Sequence, residues 1–204
     1  METLVIVDFQ KDFSNPKGSL YVPGAENAEQ AIINYINTNH KNISDVVFTV
    51  DWHSPNHCSF KDNGGEWPIH CVQFSEGAGI SDELIKICML YNLNIKVFKK
   101  GNVDECEEYG AFEYIGTYHY GEGDADIIVN NIANKNTLRF DTANIVVCGL
   151  AGDYCVKETI KNIMQYKGPI GINIAAFKDG IASIDGGSTL NNFISENNLL
   201  VKTI

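Results

Sequence analysis

One apolar run of this sequence leads straight into a helix start: Asn144-Ile145-Val146-Val147-Cys148-Gly149-Leu150-Ala151-Gly152-Asp153-Tyr154-Cys155-Val156. The part from Ile145 to Cys148 is short, continuous and rich in β-branched residues, which is typical of a strand buried on both faces. From Val156 onward, apolar side chains repeat at helical spacing, at Ile160 and Ile163. A strand that passes at once into a helix is the repeating unit of a parallel α/β sheet.

The same alternation continues along the rest of the chain. Five further apolar runs predict strands, at 3–7, 45–50, 95–98, 170–175 and 199–203. Apolar residues at helical spacing predict helices around 28–36, 80–91, 156–164 and 190–194. Residues 81–83 suit the start of the second helix, Ser188 is the expected N-cap of the last, and a weaker pattern predicts a helix over 124–134. We therefore expect one α/β domain over residues 1–204, a three-layer α/β/α fold with a mainly parallel sheet of about six strands.

The charge of the chain limits the kind of partner it can bind. Its 204 residues carry a formal net charge of −11, from 26 acidic and 15 basic side chains. Such an excess of carboxylates repels phosphate backbones and anionic membrane surfaces. No apolar run approaches the ~20 residues that a membrane span needs. We therefore expect neither a nucleic-acid partner nor a membrane partner.

The cysteines and the first residues favour a cytoplasmic location. The six cysteines include no Cys-x-x-Cys pair, so neither a zinc ribbon nor a thioredoxin-type motif is available. Residues 1–3 lead directly into a strand, without the basic region or cleavage site of a secretion signal. Reduced thiols in the cytoplasm are therefore expected. The sequence leaves open whether the chain forms a homo-oligomer.

Reactive side chains stand at the carboxyl ends of four predicted strands. Asp8 ends the first strand, and Asp51 and His53 end the second. Lys100 ends the third strand, and Cys155 follows the fourth. Ligands of open α/β sheets bind at this edge. A single aspartate there is often only a helix cap or a turn residue, but four such strand ends together predict a functional site.

Cys155 lies in the first turn of a predicted helix. The free N–H groups and the helix dipole of such a turn favour an anion, so they lower the pKa of a thiol and favour the nucleophilic thiolate. The same N–H groups can hold the oxyanion that forms when a carbonyl is attacked. Asp8 could accept the thiol proton, and Lys100 could stabilise both anions. The alternatives are a structural cysteine packed under the helix and a solvated surface lysine.

A second group of residues has the composition of a metal site. Asp51 and His53 point to the same side of an extended segment, because strand side chains alternate. With His70 they form a set of one carboxylate and two imidazoles that leaves coordination positions open. Zinc, iron and manganese are all chemically acceptable, and His57 could add a fourth ligand or support the others. Each histidine could instead be an ordinary loop residue.

Two motifs resemble the isochorismatase-like cysteine hydrolases: Val7-Asp8-Phe9-Gln10-x-Asp12-Phe13 and Gly149-Leu150-Ala151-x-Asp153-Tyr154-Cys155-Val156. Three further segments are similar to the nicotinamidase (pyrazinamidase) branch of that family: Asp51-Trp52-His53-Ser54-Pro55-Asn56-His57-x-Ser59-Phe60, Gly64-Gly65-x-Trp67-Pro68-x-His70-Cys71-Val72 and Lys100-Gly101. The resemblance extends from Thr3 to about Asp185 and is weakest over 113–143, to which we assign no role. It implies the isochorismatase-like fold.

The resemblance also implies an activity, the hydrolysis of nicotinamide to nicotinate and ammonia through a thioester, as a step of NAD salvage. By position, Cys155 is the nucleophile, Asp8 the general base and Lys100 the residue that stabilises charge. Pyrazinamide-like amides are further expected substrates.

The remaining site residues follow from the same resemblance. Asp51, His53 and His70 match the ligands of one divalent ion, expected to be zinc, with iron or manganese also acceptable. In the family this ion binds the pyridine nitrogen and so positions the substrate. Aromatic residues match or adjoin the pocket walls: Phe13, Trp67 and Tyr109. A cis peptide between Leu150 and Ala151 is implied as well, with the backbone N–H groups of Ala151 and Cys155 as oxyanion donors.

Two positions depart from the family pattern. Gly152 stands where a threonine is usual, and Gly110 replaces the usual serine. Neither change removes a catalytic group, but both bear on the shape of the pocket.

Three other functions are compatible with parts of the sequence. A cysteine hydrolase of another small amide or carbamoyl compound would generally lack the set formed by Asp51, His53 and His70. A non-catalytic metal-binding α/β module would leave Asp8 and Lys100 unexplained. Isochorismate cleavage needs no bound metal.

Overall fold

The structure is a computed structural model that describes residues 1–112, 116–120, 123–127, 140–165 and 171–203, with the backbone alone for 116–120 and 123–127. Its strands are β1 (Glu2–Val7), β2 (Ile43–Asp51), β3 (Asn94–Lys100), β4 (Gly116–Tyr120), β5 (Gly123–Ile127), β6 (Asn144–Gly149), β7 (Asn173–Ile181) and β8 (Leu200–Lys202). Its α-helices are α1 (Lys11–Ser14), α2 (Ala25–Asn39), α3 (Asp82–Leu90), α4 (Lys157–Gln165) and α5 (Ser188–Glu196). A short 3₁₀ turn covers Lys61–Asn63, and a π-helical turn, Gly152–Val156, leads into α4.

Six strands form one sheet in the order β3-β2-β1-β6-β7-β8, and every neighbouring pair is parallel. The α/β class with a parallel sheet of six strands, predicted from the alternating pattern, is confirmed. The predicted strand at 170–175 begins later, at Asn173, and residues 166–170 lie outside the described part of the chain. Within the described residues, no helix is long and apolar enough to cross a bilayer.

The side chains of the central strand alternate between two hydrophobic cores. Leu4 and Ile6 pack with the buried faces of α2 and α3 on one side of the sheet. Val5 and Val7 pack with the buried faces of α4 and α5 on the other. All four side chains are fully buried, which explains why residues 4–7 of β1 are all apolar rather than alternating.

Two helix starts test the capping predictions. Ser81 caps α3 as expected, since its hydroxyl accepts a hydrogen bond from the Leu84 N–H. The prediction for α5 is wrong, because Ser188 is the first helical residue and Gly187 is the N-cap. Asp185 explains the difference, as its carboxylate accepts hydrogen bonds from the backbone N–H groups of Gly187 and Thr189 and from the Ser188 hydroxyl. The cap function thus moves three residues upstream of the serine.

The helix predicted over 124–134 is also corrected. Its first residues belong to β5, which pairs antiparallel with β4 in a two-stranded sheet. Residues 124–127, Asp-Ala-Asp-Ile, alternate polar and apolar, and this period of two fits a strand better than a helix. The remaining residues of the prediction, 128–134, lie outside the described part of the chain.

Candidate active site

Three parallel strands and the turn after a fourth bring the reactive side chains together. In the sheet register, Val7 lies beside Thr49 and Gly149, and Asp51 lies beside Lys100. The strands therefore end at one edge, as the sequence predicts. The ammonium of Lys100 lies at the centre, with its Nζ 2.9 Å from Asp8 Oδ2 and 3.5 Å from Cys155 Sγ.

Lys100 also forms an ion pair with Asp51 and donates a hydrogen bond to the backbone oxygen of Glu108, 3.1 Å away. Ligand atoms of Asp8, Asp51 and Cys155 all lie within 4.8 Å of one another. Asp8 and Lys100 are fully buried. The structure thus brings together the residues of the predicted catalytic group, and adds Asp51 as their neighbour.

Burial and charge act against each other in this group. Burial favours the neutral form of Lys100, but the carboxylates of Asp51 and Asp8 outweigh it and raise the pKa of this lysine well above its usual range. Burial raises the pKa of the Cys155 thiol, which Lys100 opposes and Asp8 reinforces. Burial likewise raises the pKa of Asp8, against the attraction of Lys100. A neutral thiol therefore faces a carboxylate whose proton affinity is increased.

An unusual backbone conformation and a hydrogen bond from the Thr49 hydroxyl position the carboxylate of Asp8. Its φ of 45° lies in the left-handed region, which is uncommon for a residue other than glycine. The Thr49 hydroxyl donates to Asp8 Oδ1 at 2.7 Å, and the Asp8 backbone N–H approaches the same hydroxyl at 3.2 Å. Two bonds between these residues hold Asp8 where its strand ends.

The turn that carries Cys155 is closely packed. The Leu150–Ala151 peptide is cis, as the resemblance implies. Gly152 has no space for a side chain, because an added Cβ would overlap the Ser183 hydroxyl and lie 2.9 Å from a methyl carbon of Ile181. The departure from the usual threonine is therefore matched by neighbours that occupy the same space.

Gly110 is explained in the same way. A Cβ at this position would overlap the side-chain amide of Asn162, which is buried and accepts a hydrogen bond from the Phe112 N–H at 3.1 Å. Asn162 thus occupies the place that a serine side chain would need.

The second predicted group forms a compact, buried set. Asp51 Oδ2 lies 3.7 Å from His53 Nε2 and 3.9 Å from His70 Nε2. Each imidazole donates a hydrogen bond from Nδ1 to a backbone carbonyl oxygen. The acceptor of His53 is Gly101, at 2.9 Å, and the acceptor of His70 is Pro68, at 2.7 Å. Because Nδ1 carries the proton in such a bond, the Nε2 lone pairs face Asp51. One carboxylate and two imidazoles thus converge at this point.

Two further features fit a cation at this point. Nε2 of His53 is buried and has no hydrogen-bond partner in the part of the chain that the structure describes. Burial opposes the ionised form of Asp51, but Lys100, His53 and His70 outweigh it and lower its pKa below the usual range. An ionised carboxylate beside an unpaired imidazole nitrogen is the donor set that a divalent metal ion requires.

His57 lies behind this set rather than in it. Its Nδ1 contacts the Ser59 hydroxyl at 2.8 Å and its Nε2 contacts the Cys106 carbonyl at 3.0 Å. The ring packs on His53, with 4.0 Å between centroids. Burial lowers its pKa to about 4. Both nitrogens are therefore engaged, and His57 supports His53 by packing.

Next to these groups lies a pocket with aromatic walls. Its lining contains the three aromatic residues and the two backbone donors named from the sequence: Phe13, Trp67, Tyr109, Ala151 and Cys155. The indole N–H of Trp67 donates to the Tyr109 hydroxyl at 3.1 Å. Tyr109 therefore belongs to the wall of the pocket, not only to the core.

Several residues of the site were not predicted. Tyr154 lines the pocket and meets Trp67 edge-on at 5.1 Å between centroids. Its place next to Cys155 was the available signal. Glu107 also lines the pocket. Its burial, and to a smaller extent the negative charge of Asp51, raise the pKa of this carboxyl to about 7. It lies in an irregular loop without periodicity, so the sequence offered no signal for it.

Gln10 was quoted only as part of a motif, yet it holds a site residue in place. Its side-chain amide donates to the backbone oxygen of Asp51 at 2.8 Å and accepts from the Asp51 N–H, also at 2.8 Å. These two hydrogen bonds fix the backbone of Asp51.

Several known nicotinamidases are similar to this chain. No family model matches the chain. Among curated proteins, the nicotinamidase of Saccharomyces cerevisiae is 29% identical over 183 residues, which cover 78% of this chain and 79% of the relative. The nicotinamidase of Escherichia coli is 28% identical over 197 residues, covering 89% of this chain and 83% of the relative.

Solved structures share the fold over nearly the whole length. Yeast nicotinamidase bound to the inhibitor nicotinaldehyde has a TM-score of 0.74 and 25% identity, covering 100% of both chains. The pyrazinamidase of Pyrococcus horikoshii in complex with zinc has a TM-score of 0.70 and 25% identity, covering 100% of this chain and 99% of that one. In its fold, its relatives and the motifs at its strand ends, the chain is similar to the nicotinamidase branch of the isochorismatase-like cysteine hydrolases.

Proposed function

We propose that this protein is an amidohydrolase that converts nicotinamide to nicotinate and ammonia, with Cys155 as its nucleophile. The observation that carries the proposal is the position of Lys100, whose ammonium contacts Asp8 and Cys155 and pairs with Asp51 beside one aromatic pocket. The relatives support the substrate, since one solved neighbour, from L. infantum, is a complex with nicotinate, with 28% identity and a TM-score of 0.72 over 100% of this chain and 92% of that one.

The first half of the reaction forms a thioester. Asp8 accepts the proton of the Cys155 thiol, and the sulfur attacks the carboxamide carbon. The raised pKa of Asp8 suits this transfer, because a carboxylate of ordinary pKa would be a weak base toward a thiol. Asp8 then gives the proton to the leaving nitrogen, so that ammonia departs and the acyl group stays on sulfur.

Charge is stabilised at two places during this step. Lys100 lies 3.5 Å from Cys155 Sγ and offsets the negative charge that develops on sulfur. The backbone N–H groups of Ala151 and Cys155, two residues of the pocket lining, receive the oxyanion. Removal of one such donor typically slows an enzyme by about 10²–10³.

The second half releases the product. A water molecule gives a proton to Asp8 and attacks the thioester carbon, and the bond to sulfur breaks. The sulfur recovers a proton from Asp8, and nicotinate leaves. Asp8 therefore carries the proton in both halves, which requires it to stay close to Cys155.

The residues that would hold a metal ion are Asp51, His53 and His70, with zinc as the expected ion and iron or manganese as acceptable substitutes. Such an ion supplies a Lewis-acid site for the pyridine nitrogen and so fixes the orientation of the ring. The pocket lining adds the aromatic walls Phe13, Trp67 and Tyr109 around the ring position. Pyrazinamide, which has a similar ring nitrogen and carboxamide, is the second substrate we propose.

We further propose that residues 1–204 act as one domain and that the protein is cytoplasmic. The described strands of the large sheet run from Glu2 to Lys202, so both ends of the chain contribute to one sheet. None of the six cysteines, all of which lie in the described part of the chain, forms a disulfide, as is usual in a reducing compartment.

The test is product formation by the purified protein loaded with zinc. We expect it to form nicotinate and ammonia in equal amounts from nicotinamide, to accept pyrazinamide, and to act more slowly on small amides or carbamoyl compounds without a ring nitrogen. Chelation followed by dialysis should abolish the activity, and zinc should restore it. A preference for amides without the ring nitrogen, at equal concentration, would contradict the substrate assignment.

A further inference from the structure

The loop after β3 contains a buried carboxylate that has no role in the proposed chemistry. Glu108 is 8% exposed, although a buried glutamate is costly unless it is paired or hydrogen-bonded. Its Oε2 accepts a hydrogen bond from the backbone N–H of Gly101 at 2.9 Å. Burial raises its pKa, while the bond from Gly101 and the charge of Lys100 oppose that rise. The side chain is therefore directed at one peptide unit.

That peptide unit lies between two residues of the site. The Gly101 carbonyl accepts from His53 Nδ1 at 2.9 Å, and the Gly101 N–H is the donor to Glu108. Gly101 has a φ of 64°, and an added Cβ would overlap the His53 ring. The backbone of Gly101 is thus in close contact with the imidazole of His53. Any shift of this backbone also moves the Gly101 carbonyl oxygen, which is the acceptor that orients His53.

Glu108 touches the same turn a second time. Its backbone oxygen accepts from Lys100 Nζ at 3.1 Å, while its carboxylate holds the next residue, Gly101. One residue therefore holds both the Lys100 side chain and the peptide that supports His53. The neighbouring Glu105, in the same loop, is exposed, which makes it a matched control.

We propose that Glu108 is a positioning residue for the metal ligand His53, acting through the hydrogen bond of its carboxylate to the Gly101 N–H. The inference rests on the proposed function only in that it assumes a metal ion at Asp51, His53 and His70. The carboxylate fixes the Gly101 peptide, the Gly101 carbonyl fixes the tautomer and plane of His53, and Nε2 is thereby held toward Asp51. Partners of this kind, one step removed from a ligand, typically change metal affinity by about 10–100-fold when removed.

The test compares zinc affinity among variants, measured by chelator competition without substrate. Glu108→Met keeps the volume of the side chain but lacks an acceptor, and should weaken zinc binding by about tenfold or more. Glu108→Gln keeps an acceptor oxygen and should bind zinc within about threefold of the original protein. Glu105→Ala should leave the affinity unchanged. Should Glu108→Met fail to fold, Glu108→Asp, whose shorter side chain falls short of Gly101, should weaken zinc binding likewise.

A merely structural role gives a different pattern. Thermal stability would then fall in Glu108→Met while the zinc affinity of the folded protein stayed the same, and this result would overturn the inference. Loss of zinc affinity in Glu108→Gln equal to that in Glu108→Met would also overturn it, because charge rather than the hydrogen bond would be responsible. Since no substrate is used, a protein that hydrolyses no nicotinamide but shows the expected zinc affinities would refute the proposed function and support this inference.

Discussion

Asp51 and Lys100 join the two groups of the site through one carboxylate. Oδ1 of Asp51 pairs with the ammonium of Lys100, while Oδ2 faces the Nε2 atoms of the two imidazoles. The residue pair also lies in register across β2 and β3. The predicted catalytic group and the predicted metal group therefore share a side chain, and a change at Asp51 should affect both.

Asp51→Asn should lower kcat/KM by about 10³ or more and weaken zinc binding, because it removes the proposed charged ligand and a buried ion-pair partner of Lys100. Steady-state kinetics and chelator competition measure the two effects. Asp45→Asn is the control, since Asp45 pairs with Lys96 at 2.9 Å at the opposite end of the same two strands. It should leave kcat/KM within about twofold. Equal losses of kcat/KM in both variants would mean that the two ion pairs only stabilise the sheet and that Asp51 has no specific role in the site.

Gly152→Ala should destabilise the protein by about 1–3 kcal/mol, because the new Cβ would overlap the Ser183 hydroxyl. Denaturant unfolding measures the change. Gly171→Ala is the control, since a Cβ there has no neighbour within 4 Å in the described part of the chain. Adding Ser183→Ala to Gly152→Ala should recover part of the lost free energy of unfolding. No recovery would show that the overlap is not the cause.

Tyr109→Phe should raise KM for nicotinamide by a few fold with a smaller effect on kcat, because it removes the acceptor for the Trp67 indole N–H and frees that wall of the pocket. Steady-state kinetics with nicotinamide measure this. Tyr91→Phe, which also loses a hydroxyl, the donor to Asn37 on the surface, should leave KM unchanged. An unchanged KM in Tyr109→Phe would show that this hydroxyl does not orient Trp67 for substrate binding.

Zinc should raise the thermal unfolding temperature of the metal-free protein, because an ion that binds the folded chain alone stabilises it by mass action. Differential scanning fluorimetry over a zinc titration measures the shift. In His70→Ala the shift should be small, since one of the three proposed ligands is lost. His40→Ala is the control, because His40 lies at the end of α2, stacked on Tyr91, and should keep the full shift. A full shift in His70→Ala would place the zinc site elsewhere.

The sequence was sufficient for features that depend on local pattern. Apolar runs located the six strands, and most clearly the central strands β1 and β6, because a strand buried on both faces requires apolar side chains at nearly every position. The rule that ligands bind at the strand ends then selected Asp8, Asp51 and Lys100. The cap of α5 was missed because Asp185 reaches forward into the first turn, whereas the prediction considered only the residue next to the apolar stripe.

Features that depend on contacts between distant segments were not predictable in this way. Nothing in the sequence around Glu107 or Glu108 distinguishes these two from Asp104 and Glu105 of the same loop, and only the fold shows that they lie beside Lys100. The reason for Gly152 and Gly110 was equally hidden, since Ser183 and Asn162 lie far from them in the chain.

The most direct test of the proposed chemistry is nicotinate formation by Cys155→Ala, loaded with zinc and compared with the original protein and with Cys58→Ala. We predict that Cys155→Ala loses at least about 10⁴-fold in kcat while it keeps its fold and its zinc affinity, because the substitution removes the proposed nucleophile. Cys58→Ala should keep its activity. Nicotinate formation by Cys155→Ala at the rate of the original protein would contradict the account.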